Sequence, residues 1–277
     1  MASHCNEAES AVPPAASGRL TPPERRARIV ATLVFLVSAA ITWNAVRSMS
    51  GAMAMPGGWQ MSMMWMAMPG ATPWASAGMF LLMWQAMMIA MMLPSTWPML
   101  ELYHRVAVSM GLKRPGLALA LACGGYFTVW LAFGAVVFAV GYFVSDAAMK
   151  SAGFSRMLPV AGGVLLILAG AYQVTAFKRA CLNHCRSPLS FLGHAWKPGL
   201  YGAFRVGIHH GAYCAGCCGA LMAIQTVLGI MNLGVMIAIA AVIALEKLWK
   251  SGPLIAHLTG AASAAFGLYL VFAAIAR

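Results

Sequence analysis

Apolar residues in this chain fall into seven long runs, at about residues 29–46, 75–93, 117–143, 157–177, 200–228, 233–245 and 257–276. Short polar stretches separate them. A helix crosses a bilayer with roughly 20 apolar residues, and most of these runs reach or approach that length. The pattern predicts an all-α fold: a polytopic membrane helix bundle of about seven transmembrane helices. Pro94 and Pro98 are expected to end the second helix. Ahead of the first run, residues 1–28 are rich in Ala, Ser and Pro and close on Glu24-Arg-Arg-Ala-Arg28. They read as a disordered cytoplasmic tail, leaving 29–277 as the integral membrane domain. The first run reads as a retained signal-anchor, with cleavage after Ala39-Ala40 left open.

Composition supports the membrane reading. The chain is 61% hydrophobic and only 9% charged, where a soluble domain carries about a quarter charged residues. A net charge of +12 raises nucleic acid as a partner. The basic residues sit in short loops beside apolar runs, so they report topology instead, and the expected partner is membrane lipid. With the N-terminus inside, the inner side carries thirteen Lys and Arg and the outer side four. The positive-inside rule therefore places the N-terminus in and the C-terminus out, in a multi-pass protein of the plasma (inner) membrane. No P-loop is present, which removes nucleotide-driven pumping.

This topology puts residues 47–74 outside, as a loop dense in methionine. Between positions 49 and 92 lie 14 of the 22 methionines. Met79, Met83, Met87 and Met91 recur every four residues and make one stripe on the second helix. A Met stripe serves packing as readily as binding. The Met-rich outer loop has no packing explanation, and thioethers bind copper without first losing a proton.

The fifth run carries the most unusual chemistry: Gly207-Ile-His-His-Gly-Ala-Tyr-Cys-Ala-Gly-Cys-Cys-Gly-Ala-Leu-Met222. At helical spacing His210, Cys214, Cys217, Cys218 and Met222 share a face, and His209 points away. Ligating groups at membrane depth mark a functional site. Thiolate and thioether select soft ions, Cu(I) first, with zinc as the alternative, whereas Mg²⁺ and Ca²⁺ need oxygen ligands. One helix cannot wrap an ion, so Met83, Met87 and Met91 of the second helix are expected to face it. Gly207, Gly211, Gly216 and Gly219 would allow close approach. The loop 178–199 holds Cys181, His184 and Cys185, which read either as a second, cytoplasmic binding point or as solvated coil. Glu246 is expected to pair with Lys247 or Lys250. His104, His194 and His257 stand alone in the sequence.

Several motifs resemble a family. Trp84-Gln-Ala-Met-Met-Ile-Ala-Met-Met-Leu-Pro-Ser95, Tyr172–Lys178, Cys181-Leu-Asn-His-Cys-Arg-Ser-Pro188, the Gly211–Met222 run, Gly229-Ile-Met-Asn232 and Glu246-Lys247 are similar, in order over about 75–250, to the bacterial predicted metal-binding integral membrane proteins. The resemblance implies a copper chaperone or copper-delivery accessory, in some members associated with a tyrosinase-type polyphenol oxidase. Where that family commonly has Trp after the vicinal cysteines, this chain has Gly219.

The sequence thus predicts a copper-handling protein without enzymatic turnover, a Cu(I) chaperone or delivery factor for a cuproenzyme client or periplasmic copper protein. A membrane thiol–disulfide oxidoreductase using Cys214/Cys217 and a soft-metal transporter stand as alternatives. The oxidoreductase is weakened by the different depths expected for the two cysteine clusters. A homo-oligomer is left open.

Overall fold

A computed structural model describes residues 22–49, 51–62, 65 and 72–276. Cys5, Met63, Met64, Met66, Met68 and residues 1–21 of the tail lie outside the described residues.

The first helix, α1 (Pro22–Met49), begins within the stretch assigned to the tail, so residues 22–28 are helical. Pro at its start suits a helix N-terminus. A hairpin follows, β1 (Ala52–Met55) and β2 (Trp59–Ser62), with Met55 opposite Trp59. Its turn requires glycine, because Gly57 and Gly58 have φ of 102° and 74°. So the Met-rich stretch after α1 is partly ordered. Met55 and Met61 pack with Ala148, and Met53 is exposed.

The helix α2 (Pro73–Ser109) is 37 residues long and contains Pro94 and Pro98. The expectation that these prolines end the span is therefore wrong. Proline in a helix interior costs about 3 kcal/mol. Here Ser95, Thr96, Met99, Leu100 and Tyr103 beyond Pro94 are all buried, and their packing offsets it. Then come α3 (Pro115–Lys150) and α4 (Ala152–Gln173), the latter capped by Ser151.

Residues 178–199 are not coil. Thr175 caps a helix, α5 (Ala176–Arg186), and α6 (Pro188–Ala195) follows. The helix α7 (Gly199–Gly229) carries the cysteines. Gly229, at φ 118°, and Asn232, which caps the next helix, make the turn into α8 (Leu233–Leu248). The last helix is α9 (Gly252–Ile275).

Among the described residues six helices are long and apolar enough to cross a membrane: α1, α2, α3, α4, α7 and α9. The predicted sixth span, α8, has 16 residues, so it extends about 24 Å, short of a hydrocarbon core of ~30 Å.

Glycine sets which helices touch. A Cβ on Gly207 would strike the Ala122 carbonyl, and one on Gly211 would crowd Tyr126 and Val129. The small-residue face of α7 therefore meets α3, not the methionine helix as expected. Gly163/Gly267 and Gly170/Gly260 bring α4 onto α9 in the same way.

The two ends of the bundle are distinct. At one, Glu24 and Arg105 pair at 3.0 Å, and Tyr103 packs on Trp196, so the start of α1, the end of α2 and the α6–α7 corner lie together. At the other, Trp59 donates to the Ser155 carbonyl at 3.0 Å, which docks the hairpin on the start of α4.

Candidate metal centre

Midway along α7 the helical repeat brings Cys214, Cys217 and Cys218 together. Their sulfurs lie within 4.8 Å of one another, and all three residues are buried. Cys217 and Cys218 are 3.3 Å apart at sulfur, far longer than the ~2.05 Å of a disulfide. All three are free thiols.

A fourth sulfur comes from α5. Cys185 Sγ is 3.8 Å from Cys217 Sγ. Cys181, buried, sits over Gly216, where a Cβ would meet its sulfur at 2.7 Å. Burial pushes the Cys181 thiol up from its ordinary range. The two cysteine clusters are therefore neighbours. The different depths expected of them came from treating residues 178–199 as a loop below the bundle. Tyr172 fixes this wall by donating to the Gly216 carbonyl at 2.6 Å.

Two proton donors converge on Cys214. Thr96 donates to the Tyr126 hydroxyl at 3.1 Å, which leaves that hydroxyl's own proton for Cys214 Sγ at 3.0 Å. The Lys247 ammonium donates to the same sulfur at 3.1 Å, and to Ser95 at 3.4 Å. A metal-binding thiolate needs such an environment. Lys247 also answers the charge question. Cu(I) on two thiolates leaves one net negative charge, which the buried ammonium cancels; Zn(II) on three thiolates leaves the same balance.

Sequence reasoning missed Lys247 and counted it, with Lys178, as a loop charge. Both are buried. Glu246 pairs with Lys178 at 2.7 Å, not with its chain neighbours. Lys178 also donates to Gln173, and Arg186 donates to the Glu246 carbonyl at 2.5 Å. The Glu-Lys dipeptide thus splits its work. Glu246 ties α8 to α5, and Lys247 turns to the sulfurs.

The other predicted ligands are spread over α7, α2 and α5. His210 lies on the cysteine face, one turn before Cys214 and buried. Its ring packs between Tyr126 and Phe191, at 5.5 and 5.4 Å, and Nδ1 makes no hydrogen bond. It does not belong to the group of three close sulfurs. Met222 is one turn past Cys218. Met83, Met87 and Met91 are buried in the same apolar cluster as Cys214, Cys217, Cys218 and Met222, whereas Met79 is exposed. Met87 Sδ accepts from Gln225 Nε2 at 3.4 Å, about 10 Å along α7 from Cys218. The methionines thus extend the sulfurs toward the hairpin end. His184 stacks on Tyr213 at 4.3 Å. Beside Gly219 stands Phe133, whose ring also stacks on Trp84. An aromatic from α3 thus fills the room next to the vicinal cysteines.

Fold and site together define a polytopic membrane helix bundle whose core holds a cysteine cluster able to bind a soft metal. A family model described as PpoB2, copper chaperone, matches residues 81–270. This is more than half of the 277 residues, and the chain belongs to that copper chaperone family. No curated protein and no solved structure matches it.

Proposed function

We propose that the protein is a Cu(I) chaperone of the bacterial inner membrane, which holds the ion on Cys214, Cys217 and Cys218 and delivers it to a cuproenzyme client. The observation that carries this reading is the buried triad of sulfurs within 4.8 Å, with Lys247 donating to one of them, in a chain of the copper chaperone family. Cys185 is the next sulfur on the path, and Cys181 and His184 follow on α5. Met222, Met91, Met87 and Met83 lead away toward the hairpin. His210 is in reserve as a nitrogen ligand, since a bound ion would use its unpartnered, buried Nδ1. The basic end of the bundle, with α5 and α6, faces the cytoplasm, and the methionine hairpin faces out.

Anaerobic Cu(I) titration of the detergent-solubilised protein tests the centre. A Cys214/Cys217/Cys218→Ser triple variant is expected to lose the thiolate-to-copper absorption and its tightest-bound copper. Unchanged absorption and stoichiometry would overturn the reading.

The thiol–disulfide alternative gains from the proximity of Cys185 and Cys217. It requires a disulfide that forms and reopens with a quinone or partner thiol, and mass spectrometry after oxidation distinguishes the two. Zn(II) titration of the same protein separates the ions.

A further inference from the structure

Beside the sulfur centre, at the end of the bundle that carries α5 and α6, there is a cavity of about 270 Å³. His184, His194, His209, Tyr213, Phe191 and Ser190 line it. Three of the chain's seven histidines thus share one opening, and no Asp, Glu, Lys or Arg lines it.

Two of the three rings are tethered through one nitrogen. His184 Nδ1 is 2.9 Å from the Ala180 carbonyl, and His194 Nδ1 is 2.8 Å from that of Ser190. A carbonyl only accepts, so each Nδ1 carries the proton and donates it. The neutral ring then has its lone pair on Nε2. Metal-ligating histidines are held in this way, with one nitrogen fixed by a backbone oxygen and the other free for the ion. Neutral imidazoles without carboxylates suit copper or zinc and not Mg²⁺ or Ca²⁺.

The cavity and the sulfur centre share a wall. His184 directly precedes Cys185, whose sulfur is 3.8 Å from Cys217. Its ring lies flat on Tyr213, the residue before Cys214. Among the described residues only the cysteine triad already brings three candidate ligand atoms within 4.8 Å of one another. The three histidines are exposed, which leaves room for small ring rotations that keep the Nδ1 contacts, and Cu(I) is satisfied by low coordination numbers. Such a site fits an ion in passage better than one in storage.

We propose that His184, His194 and His209 form a second metal site, an imidazole port through which Cu(I) is exchanged between water and the buried sulfurs. The exchange role rests on the copper reading above; the metal site does not.

Two measurements test it. In the first, His184/His194/His209→Ala protein is loaded with Cu(I) anaerobically. It should keep the thiolate-to-copper absorption at saturation, yet release the ion to a water-soluble bicinchoninate chelator about tenfold more slowly. An unchanged release rate would overturn the exchange role. In the second, Cu(II) is added to the protein with Cys214, Cys217 and Cys218 replaced by Ser. Electron paramagnetic resonance should show nitrogen hyperfine structure that disappears on adding the three His→Ala changes. A spectrum without it, or one that survives those changes, overturns the site. Should the Cys variant misfold, the same Cu(II) comparison is made with thiols blocked by N-ethylmaleimide, with the same two outcomes. Loss of thiolate absorption in the His variant itself would place these residues in the sulfur centre and also overturn the port. The second measurement is independent of the sulfur reading, so the two can fail separately.

Discussion

Cys214 is held by proton donors from two other helices, Tyr126 of α3 and Lys247 of α8. Hydrogen bonds to charged groups contribute about 1.5–3 kcal/mol each. Lys247→Met keeps the length and apolar stem of the side chain and removes the ammonium. Its expected effect is a fall in Cu(I) affinity of about 10- to 100-fold, read by chelator competition, with Lys178–Glu246 and the helix content intact. Unchanged affinity would mean that Lys247 only fills space. The cysteines themselves were legible in the sequence, because their spacing alone puts them on one face. Lys247 was not. A lysine at the end of an apolar run reads as a loop charge, and only the position of Cys214, 33 residues away, gives it another meaning. His194 was illegible for the same reason, because its companions His184 and His209 sit on other helices.

At the scale of elements, close packing of α3 on α7 positions the thiols against Tyr126. Gly207→Val would drive a side chain into the Ala122 carbonyl and the Tyr126 amide. Overpacking of this kind costs about 1–3 kcal/mol. The variant should melt earlier in detergent and bind copper more weakly. Gly124→Ala, whose Cβ meets nothing within 4 Å, is the control and should be neutral or slightly stabilising. Equal melting of the two variants would reject the close contact. Hydropathy gave all seven apolar helices and the glycine face of α7. It could not say which neighbour that face meets, since α2 and α3 are equally apolar. It also stopped α2 at Pro94, because the packing that carries the helix through proline is tertiary. Helix α5 was hidden by its polar composition; its signals were Thr175 three residues before Lys178, and the return of Cys181 and Cys185 at a spacing of four.

Across the whole molecule, sulfur runs from the methionines of α2, past Met222, to the cysteine triad and on to Cys185. Replacing Met83, Met87 and Met91 together by Leu keeps volume, at a cost of less than about 1.5 kcal/mol each, and removes the thioethers. The fold and the copper capacity of the cysteines should persist. Loading from Cu(I) supplied on the hairpin side of proteoliposomes should slow. Unchanged loading would assign these methionines to packing. The helical membrane bundle and its soft-ligand character were readable from the chain. The contact between α5 and the centre of α7 was not, because it joins segments whose sequences give no hint of each other.

The Lys178–Glu246 pair also has a consequence for how the protein is made. The two residues are separated by 68 positions and are both buried. An ammonium left alone in such a place is strongly unfavourable, by several kcal/mol. While α4 and α5 emerge from the ribosome their partner does not yet exist. Lys178 must therefore stay hydrated until α8 has been synthesised, and α5 can seat against α7 only then. The wall that carries Cys181 and Cys185 closes late in biosynthesis, so a nascent chain halted before Glu246 would present an open, water-filled flank and thiols still within reach of the solvent.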